Sequence, residues 1–328
     1  MTVLRWGVLG TAKIAIDHVI PAMLGAANGE VTAIASRTAG TAEEVGARFG
    51  IPHRFAHYEE MLASDVIDAV YIPLPNHLHR QWAIAAAHAG KHVLCEKPLA
   101  LTSNEAQEMV DACRDAGVVL AEAFMYRHHP SWVAIRDLAA SGRIGELCAV
   151  HTAFGYFNDD PANIRNRVEC GGGALMDVGC YAIDLSRMLF GAEPSDVQAV
   201  IRRDPRFGTD IVTSAILSFG LGHSLFTVST QLEDVQHVEL LGTSGRIVVD
   251  VPFNIPPDWE AQVSVVAGGD PPTAPDVEVL TFAPVDQYTL QAEAFAATVL
   301  DGIPPARPVE EAVANMRVLE RIVAAAEA

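Results

Sequence analysis

Two short stretches set reactive side chains where packing or solvent-facing residues would be ordinary, and a third joins them. In HVLCEKPLALT, residues 92–102, Glu96, Lys97 and Pro98 follow directly on a short apolar run. Such a run, ended by turn residues, is a buried strand, and open parallel sheets bind ligands outside the carboxyl ends of their strands. A lysine delivered there can lower the pKa of a nearby phenol or hydrogen-bond a substrate hydroxyl, and a cis bond before Pro98 can aim it. Spacing alone leaves Lys97 equally readable as a surface lysine in a strand-to-helix loop. In GGGALMDVGCYAIDLSRMLFG, residues 171–191, Asp177 and Tyr181 stand at i and i+4 on one helix face, behind three glycines that allow close backbone approach. Read plainly, Tyr181 is a packing residue and Asp177 a cap or surface group. The third stretch, DAVYIPLPNHLHR (68–80), ends a strand in a loop holding His77 and His79, which also read as histidines bonded to backbone.

A dinucleotide signal precedes these. The first strand ends in GVLGTAKIA, where Gly10, Ala12 and Ala15 fill a G-x-G-x-x-G frame with alanine in the second and third places. The glycine permits the tight turn, and a small second residue lets a pyrophosphate reach the helix N-terminus. A tight turn packed by small residues is the plainer alternative, and the position in the first strand–helix unit favours the cofactor. The second strand ends at Ser36, followed by Arg37 and Thr38. The acid that holds the ribose hydroxyls of NAD is absent, and an arginine between two hydroxyls suits a 2′-phosphate. NADP is therefore the expected cofactor, with NAD the alternative.

Composition removes other classes. The 328 residues carry a formal net charge of −19, which repels nucleic acid and anionic membrane surfaces. No apolar run approaches the roughly 20 residues of a membrane span. The five cysteines are odd in number and form no CxxC pair, which fits a reducing compartment. No secretory pattern opens MTVLRWGVLG, and a cytoplasmic location is expected. No His, Cys, Asp and Glu set has metal-ligand spacing, so no metal is expected, and no GxSxG is present.

The elements that must position these residues follow from periodicity. Up to residue 125, apolar runs at 4–10, 31–36, 68–74, 91–96 and 117–123 alternate with helical patterns at 13–26, 41–49, 77–89 and 103–116. That rhythm predicts a doubly wound parallel sheet in an α/β fold. Helix starts are marked by Thr102 or Ser103 with Glu105 and Gln107. Beyond 125, helices are expected at 129–140 and 174–190, then strand runs from 197 to 251 with hairpins at LSFGLGHSLF and LLGTSGRIVV. The Pro- and Gly-rich 256–276 reads as a surface excursion, and the chain ends in a helix. This gives a dinucleotide-binding domain over 1–125, followed by an antiparallel sheet with helices on one face. The C-terminal helix is free to pack back on the first domain.

WGVLGTAKIA, ASR, IPLPNHLH, CEKP, MYRHHP (125–130) and GGGALMDVGCY together resemble the glucose–fructose oxidoreductase / inositol dehydrogenase (Gfo/Idh/MocA) family over essentially the whole chain. CEKP paired with GGGxLxDxGxY is far more specific than the glycine motif. The resemblance implies a Rossmann domain over 1–125 and, over 126–328, a substrate-binding and oligomerisation α/β domain with an open, mostly antiparallel sheet through which members pair, hence a homodimer or higher oligomer. The family's catalytic lysine falls on Lys97, its acid–base residue on Tyr181, and the paired acid on Asp177. Cofactor contacts fall on Gly10, Thr11, Ala12, Lys13, Ile14, Ser36, Arg37, Leu74, Asn76, His79, Glu96 and Lys97. Tyrosine at 181, with DPANIRNR upstream, is similar to the aldose (xylose) dehydrogenase and dimeric dihydrodiol dehydrogenase branch.

The implied reaction is hydride transfer at a sugar-like carbinol or carbonyl, as an aldose dehydrogenase or a ketosugar or dicarbonyl reductase. Tyr181 exchanges the hydroxyl proton, and Lys97 lowers a phenol pKa that is otherwise about 10. Tyr126, Asn163, Arg165, Asp177 and Tyr181 are the substrate candidates, an interdomain salt bridge being the rival role for Arg165. Tyr126, Arg127 and His128 lie where the chain passes between domains. An NAD-dependent glycoside hydrolase of the same fold and a non-catalytic dinucleotide-binding regulator are the alternative functions.

Overall fold

The computed structural model describes residues 3–220, 222–267 and 276–327. The chain divides into two compact units, one of Met1–Met125 with Asp286–Met316, the other of Tyr126–Val285 with Arg317–Ala328.

The first unit is a six-stranded sheet. Its strands are β1 (Leu4–Leu9), β2 (Gly29–Ala35), β3 (His53–Phe55), β4 (Ala69–Ile72), β5 (His92–Cys95) and β6 (Leu120–Glu122), in the order β3-β2-β1-β4-β5-β6. Each adjacent pair is parallel. β4 is buried at every position, as strands with both faces covered must be. The crossovers are a π-helical turn Ala15–Val19 leading into α1 (Ile20–Gly25), then α2 (Ala39–Phe49), α3 (Tyr58–Leu62), α4 (His79–His88) and α5 (Ser103–Asp115). The α5 start is as read: Thr102 Oγ1 accepts from Glu105 N at 3.1 Å, and the Glu105 carboxylate accepts from Leu101 N at 3.0 Å. The strand order reverses at β1 and β4, which puts the ends of β1, β2, β4 and β5 around the crevice where open α/β sheets bind ligands.

The expected boundary needs one correction. Residues 286–316 belong to the first unit, not to the second. The cause is packing by α8 (Gln287–Asp301): the Phe295 ring lies 5.0 Å from Trp6 of β1, and Ala292 and Ala296 are buried in the same core. Truncating a buried aromatic such as Phe295 costs about 3–5 kcal/mol, enough to decide where a helix docks.

The second unit carries α6 (Pro130–Ala140), capped by the His129 side chain, and α7 (Cys180–Phe190), entered through a second π-helical turn, Leu175–Gly179. Its sheet holds β7 (Leu147–Phe157), β8 (Asp196–Arg203), β9 (Asp210–Phe219), β10 (Gly222–Ser229), β11 (Gln231–Gly242), β12 (Gly245–Val249), β13 (Ala261–Ala267) and β14 (Asp276–Phe282). The order is β14-β13-β12-β11-β7-β10-β9-β8, antiparallel throughout except for the β7–β10 pair. Both expected hairpins form, β9 with β10 and β11 with β12. Leu221 of the first hairpin lies outside the described residues. The expected excursion at 256–276 is corrected in part: Ala261–Ala267 is β13, where Val263 and Val265 are buried, and 268–275 lie outside the described residues. α9 (Glu310–Glu327) ends the chain.

Candidate active site

In the first unit, the β1 turn is built for close approach. Gly10 has φ +115°, and a Cβ there would meet Leu74 Cδ2 at 3.0 Å and the Tyr58 hydroxyl at 3.6 Å. Only glycine serves at such an angle, which leaves backbone open beside the helix start. Thr11 and Ala12 are half-buried and Lys13 is exposed. Ile14 packs against the core, and Ala15 is fully buried, the close helix–strand contact expected of the third motif position. At the end of β2, Ser36 is buried and its hydroxyl accepts from Thr38 N at 3.3 Å, while Arg37 is exposed. The open backbone at Gly10 and the exposed cation at the β2 end, with no carboxylate in Ser36–Arg37–Thr38, fit a dinucleotide that carries a 2′-phosphate.

The Glu96–Lys97–Pro98 segment explains the charged residues at the mouth of β5. Glu96 Oε1 accepts from the Tyr71 hydroxyl at 2.6 Å, and Oε2 accepts from Lys97 N at 3.3 Å. Glu122 Oε1 accepts from Leu99 N at 2.8 Å. The Lys97–Pro98 bond is cis and Lys97 is half-buried. Tyr288 of α8 stands close to Glu96 and Lys97; burial and the Glu96 charge push its pKa up, and Lys97 opposes them. Lys97 is thus half-buried, with Glu96 and Tyr288 near it.

His79 is a correction. It was expected to contact cofactor, yet it has no exposed surface, and its nitrogens face Pro98 O at 3.0 Å and Leu74 O at 2.7 Å. Burial brings its pKa down to about 4, so it is a neutral ring donating to one carbonyl at a time. It ties the loop after β4 to the loop after β5. Asn76 opens the half-buried turn Asn76–Leu78 just before it.

In the second unit, two of the three glycines before α7 are demanded by a neighbour, and Gly171 by its φ of +74°. A Cβ on Gly172 would lie 2.4 Å from Arg165 O. Gly173 has φ +119°, and its Cβ would lie 1.9 Å from Asp210 Oδ1. Asp210 fills that space because its other oxygen accepts from Leu175 N at 2.8 Å and from Thr213 Oγ1 at 2.7 Å, capping the helix start. Asp177 is therefore not the cap. Its Oδ2 accepts from Arg165 Nε at 2.8 Å and from the Tyr156 hydroxyl at 2.5 Å. Asn163 Oδ1 accepts from Arg165 N at 3.0 Å and shapes the turn that delivers the arginine. The charge of Asp177 raises the Arg165 pKa, and Tyr181 also lies within the field of that guanidinium. Arg165 keeps 41% of its side chain exposed, which leaves it able to meet a ligand. Arg165 and Asp177 both belong to the second unit, so this pair forms within it.

Tyr181 is 4% exposed, its ring 5.8 Å from Tyr126, 5.6 Å from Phe154 and 5.1 Å from Phe253. Tyr126, expected to bind substrate, is fully buried and donates its hydroxyl to Asp184, which Arg127 Nε also meets at 2.9 Å. A side chain without exposed surface supports Tyr181 instead of meeting substrate. Tyr71, Tyr156 and Tyr288 had no local signal; each reaches its partner through sheet register or a long chain excursion. Among the described residues no group of His, Cys, Asp and Glu could hold a metal, and no helix is long and apolar enough to cross a membrane.

Comparison with known proteins adds to this geometry. Residues 4–124 match the family model described as an oxidoreductase family with an NAD-binding Rossmann fold, and residues 132–248 match the GFO/IDH/MocA C-terminal domain. An uncharacterized oxidoreductase of Rhizobium meliloti is 47% identical, over 100% of this chain and 98% of its own length. D-xylose 1-dehydrogenase (NADP(+)) 2 of Haloferax volcanii is 39% identical, over 99% and 98%. A 3-ketoreductase from Actinomadura kijaniata, solved in complex with NADP and TDP-benzene, superposes with a TM-score of 0.92 at 31% identity, over 99% of this chain and 98% of its own.

Proposed function

The chain belongs to the Gfo/Idh/MocA family of NAD(P)-dependent oxidoreductases, and on that premise we propose that it uses NADP(H) to interconvert a carbinol and a carbonyl on a sugar or ketosugar. The observation that carries the reading is the cluster of Asp177, Arg165 and Tyr156 beside Tyr181: fixed donors and acceptors of the kind that orient vicinal hydroxyls. Resemblance to a xylose dehydrogenase over the whole chain supports the sugar class.

Residues Gly10–Ile14, Ser36 and Arg37 hold the cofactor, with Leu74, Asn76, Glu96 and Lys97 lining its nicotinamide end. NADP⁺, when bound, accepts the hydride. Tyr181 takes the hydroxyl proton in oxidation and returns it to the carbonyl oxygen in reduction. Lys97 stabilises the phenolate and the developing oxyanion. Asp177 fixes Arg165 so that its remaining N–H groups present a set geometry to substrate oxygens.

A second copy of this chain is the partner we assign to the outer face of the eight-stranded sheet. On β7, Phe154 and Tyr156 face Tyr181 and Asp177, while the alternate His151 and Ala153 line a depression of about 610 Å³ with Val200, Ile216, Leu225 and His237. Val200 is 74% exposed, an apolar burden that a partner relieves.

The test is nicotinamide absorbance with NADP⁺ and NAD⁺ against aldoses, inositols and trans-dihydrodiols, then NADPH with ketosugars and dicarbonyls. Turnover of one sugar class with NADP(H) is the expected result. No turnover with any of them, while NADP(H) binds tightly, contradicts the proposal and favours a regulatory binder.

A further inference from the structure

Tyr58 opens α3, just past β3, and is 5% exposed. Its ring stands edge-on to Trp82 at 4.8 Å and 86°, a contact phenylalanine would make equally well. The hydroxyl is what packing does not explain. It lies 3.6 Å from the position a Cβ on Gly10 would take, at the backbone left open after β1. It also faces the amide and guanidinium of Arg37. Burial raises the phenol pKa against the opposing Arg37 charge, so the oxygen keeps its proton at neutral pH. Ser36 N donates to Phe55 O at 3.2 Å, fixing the β2 end against the segment that carries Tyr58.

A protonated phenol can accept from Arg37 and still donate its own O–H. A phosphate monoester rewards both properties: it takes a charge-assisted fork from arginine and a further donor on another oxygen. A ribose 2′-hydroxyl has no such need. Building on the reading of Arg37 above, we propose that Tyr58 sets Arg37 for the 2′-phosphate of NADP and donates to that phosphate, making it a coenzyme-specificity residue. Coenzyme choice in this chain then depends on the segment after β3 as well as on the turn after β2.

The experiment is calorimetric binding of NADP⁺, NAD⁺, 2′,5′-ADP and 5′-AMP to the wild type, Tyr58→Phe and Arg37→Ala, with the thermal midpoint of each protein recorded. Tyr58→Phe keeps the Trp82 contact and removes only the hydroxyl. The expected result is NADP⁺ and 2′,5′-ADP weakened about tenfold in Tyr58→Phe, as loss of a hydrogen bond to a charged group predicts, with NAD⁺ and 5′-AMP changed less than about twofold. Equal weakening of all four ligands, or none, overturns the role of Tyr58. If Arg37→Ala also leaves the ratio of NADP⁺ to NAD⁺ affinity unchanged, the underlying 2′-phosphate reading falls. A lowered ratio in Arg37→Ala with an unchanged one in Tyr58→Phe removes Tyr58 alone.

Discussion

Arg165 Nε donates to Asp177 Oδ2 across 2.8 Å, and the Tyr156 hydroxyl reaches the same oxygen at 2.5 Å. Three side chains from β7, the turn after it and the π-helical entry to α7 thus share one carboxylate oxygen. The arrangement holds a guanidinium still while leaving it partly exposed, as recognition of a small polar substrate requires.

Asp177→Asn retains the shape but removes the counter-charge of Arg165. A broken charge-assisted hydrogen bond costs about 1.5–3 kcal/mol, so kcat/KM for the sugar should fall about 10- to 100-fold. NADP affinity should stay within about twofold, because the proposed cofactor residues belong to the other unit. Steady-state kinetics with calorimetric cofactor binding would check this, and a parallel loss of NADP affinity would count against it.

Gly173→Ala places a methyl group at φ +119° against the Asp210 carboxylate. Backbone strain costs about 1–3 kcal/mol, and displacing Asp210 removes the cap on Leu175 N at about 1 kcal/mol more. Urea unfolding should show a loss of about 2–4 kcal/mol. Wild-type stability would mean the turn relaxes freely.

His79 makes stability depend on pH. Its pKa falls from 6.5 in the unfolded chain to about 4 in the folded one. Below pH 6.5 the unfolded state takes up a proton that the folded state refuses, so stability is full above that pH and declines as pH drops through about 4. The slope from this residue is up to about 1.4 kcal/mol per pH unit. Urea midpoints at pH 7, 6 and 5 should fall for the wild type and fall less steeply for His79→Asn. Equal slopes would show that another group carries the acid sensitivity.

Much of this was legible in the sequence, for reasons particular residues make clear. The apolar run before Glu96 and Lys97 marks a buried strand, and the glycines before Asp177 mark a crowded turn; both signals are local. The roles of Tyr71, Glu122 and Tyr156 are not, because each is set by which strand lies beside which. His79 was misread for the same reason: its partners Leu74 and Pro98 converge through the β4–β5 pairing. β7 escaped notice because LCAVHTAFGYF mixes small, polar and aromatic residues, and its place between β10 and β11 makes it a strand. Phe295 drew α8 into the first unit by a contact 289 positions away in sequence, Trp6 to Phe295, which no local pattern carries.

The central claim is that Tyr181 moves the proton and Lys97 tunes it. The direct measurement is single-turnover reduction of NADP⁺ by the best sugar substrate in the wild type, Tyr181→Phe and Lys97→Met, alongside NADP⁺ binding to each. The account predicts a drop in rate of about 10²- to 10⁴-fold in each variant, with cofactor affinity held within a few-fold. A near-normal rate in either variant would contradict the role given to that residue.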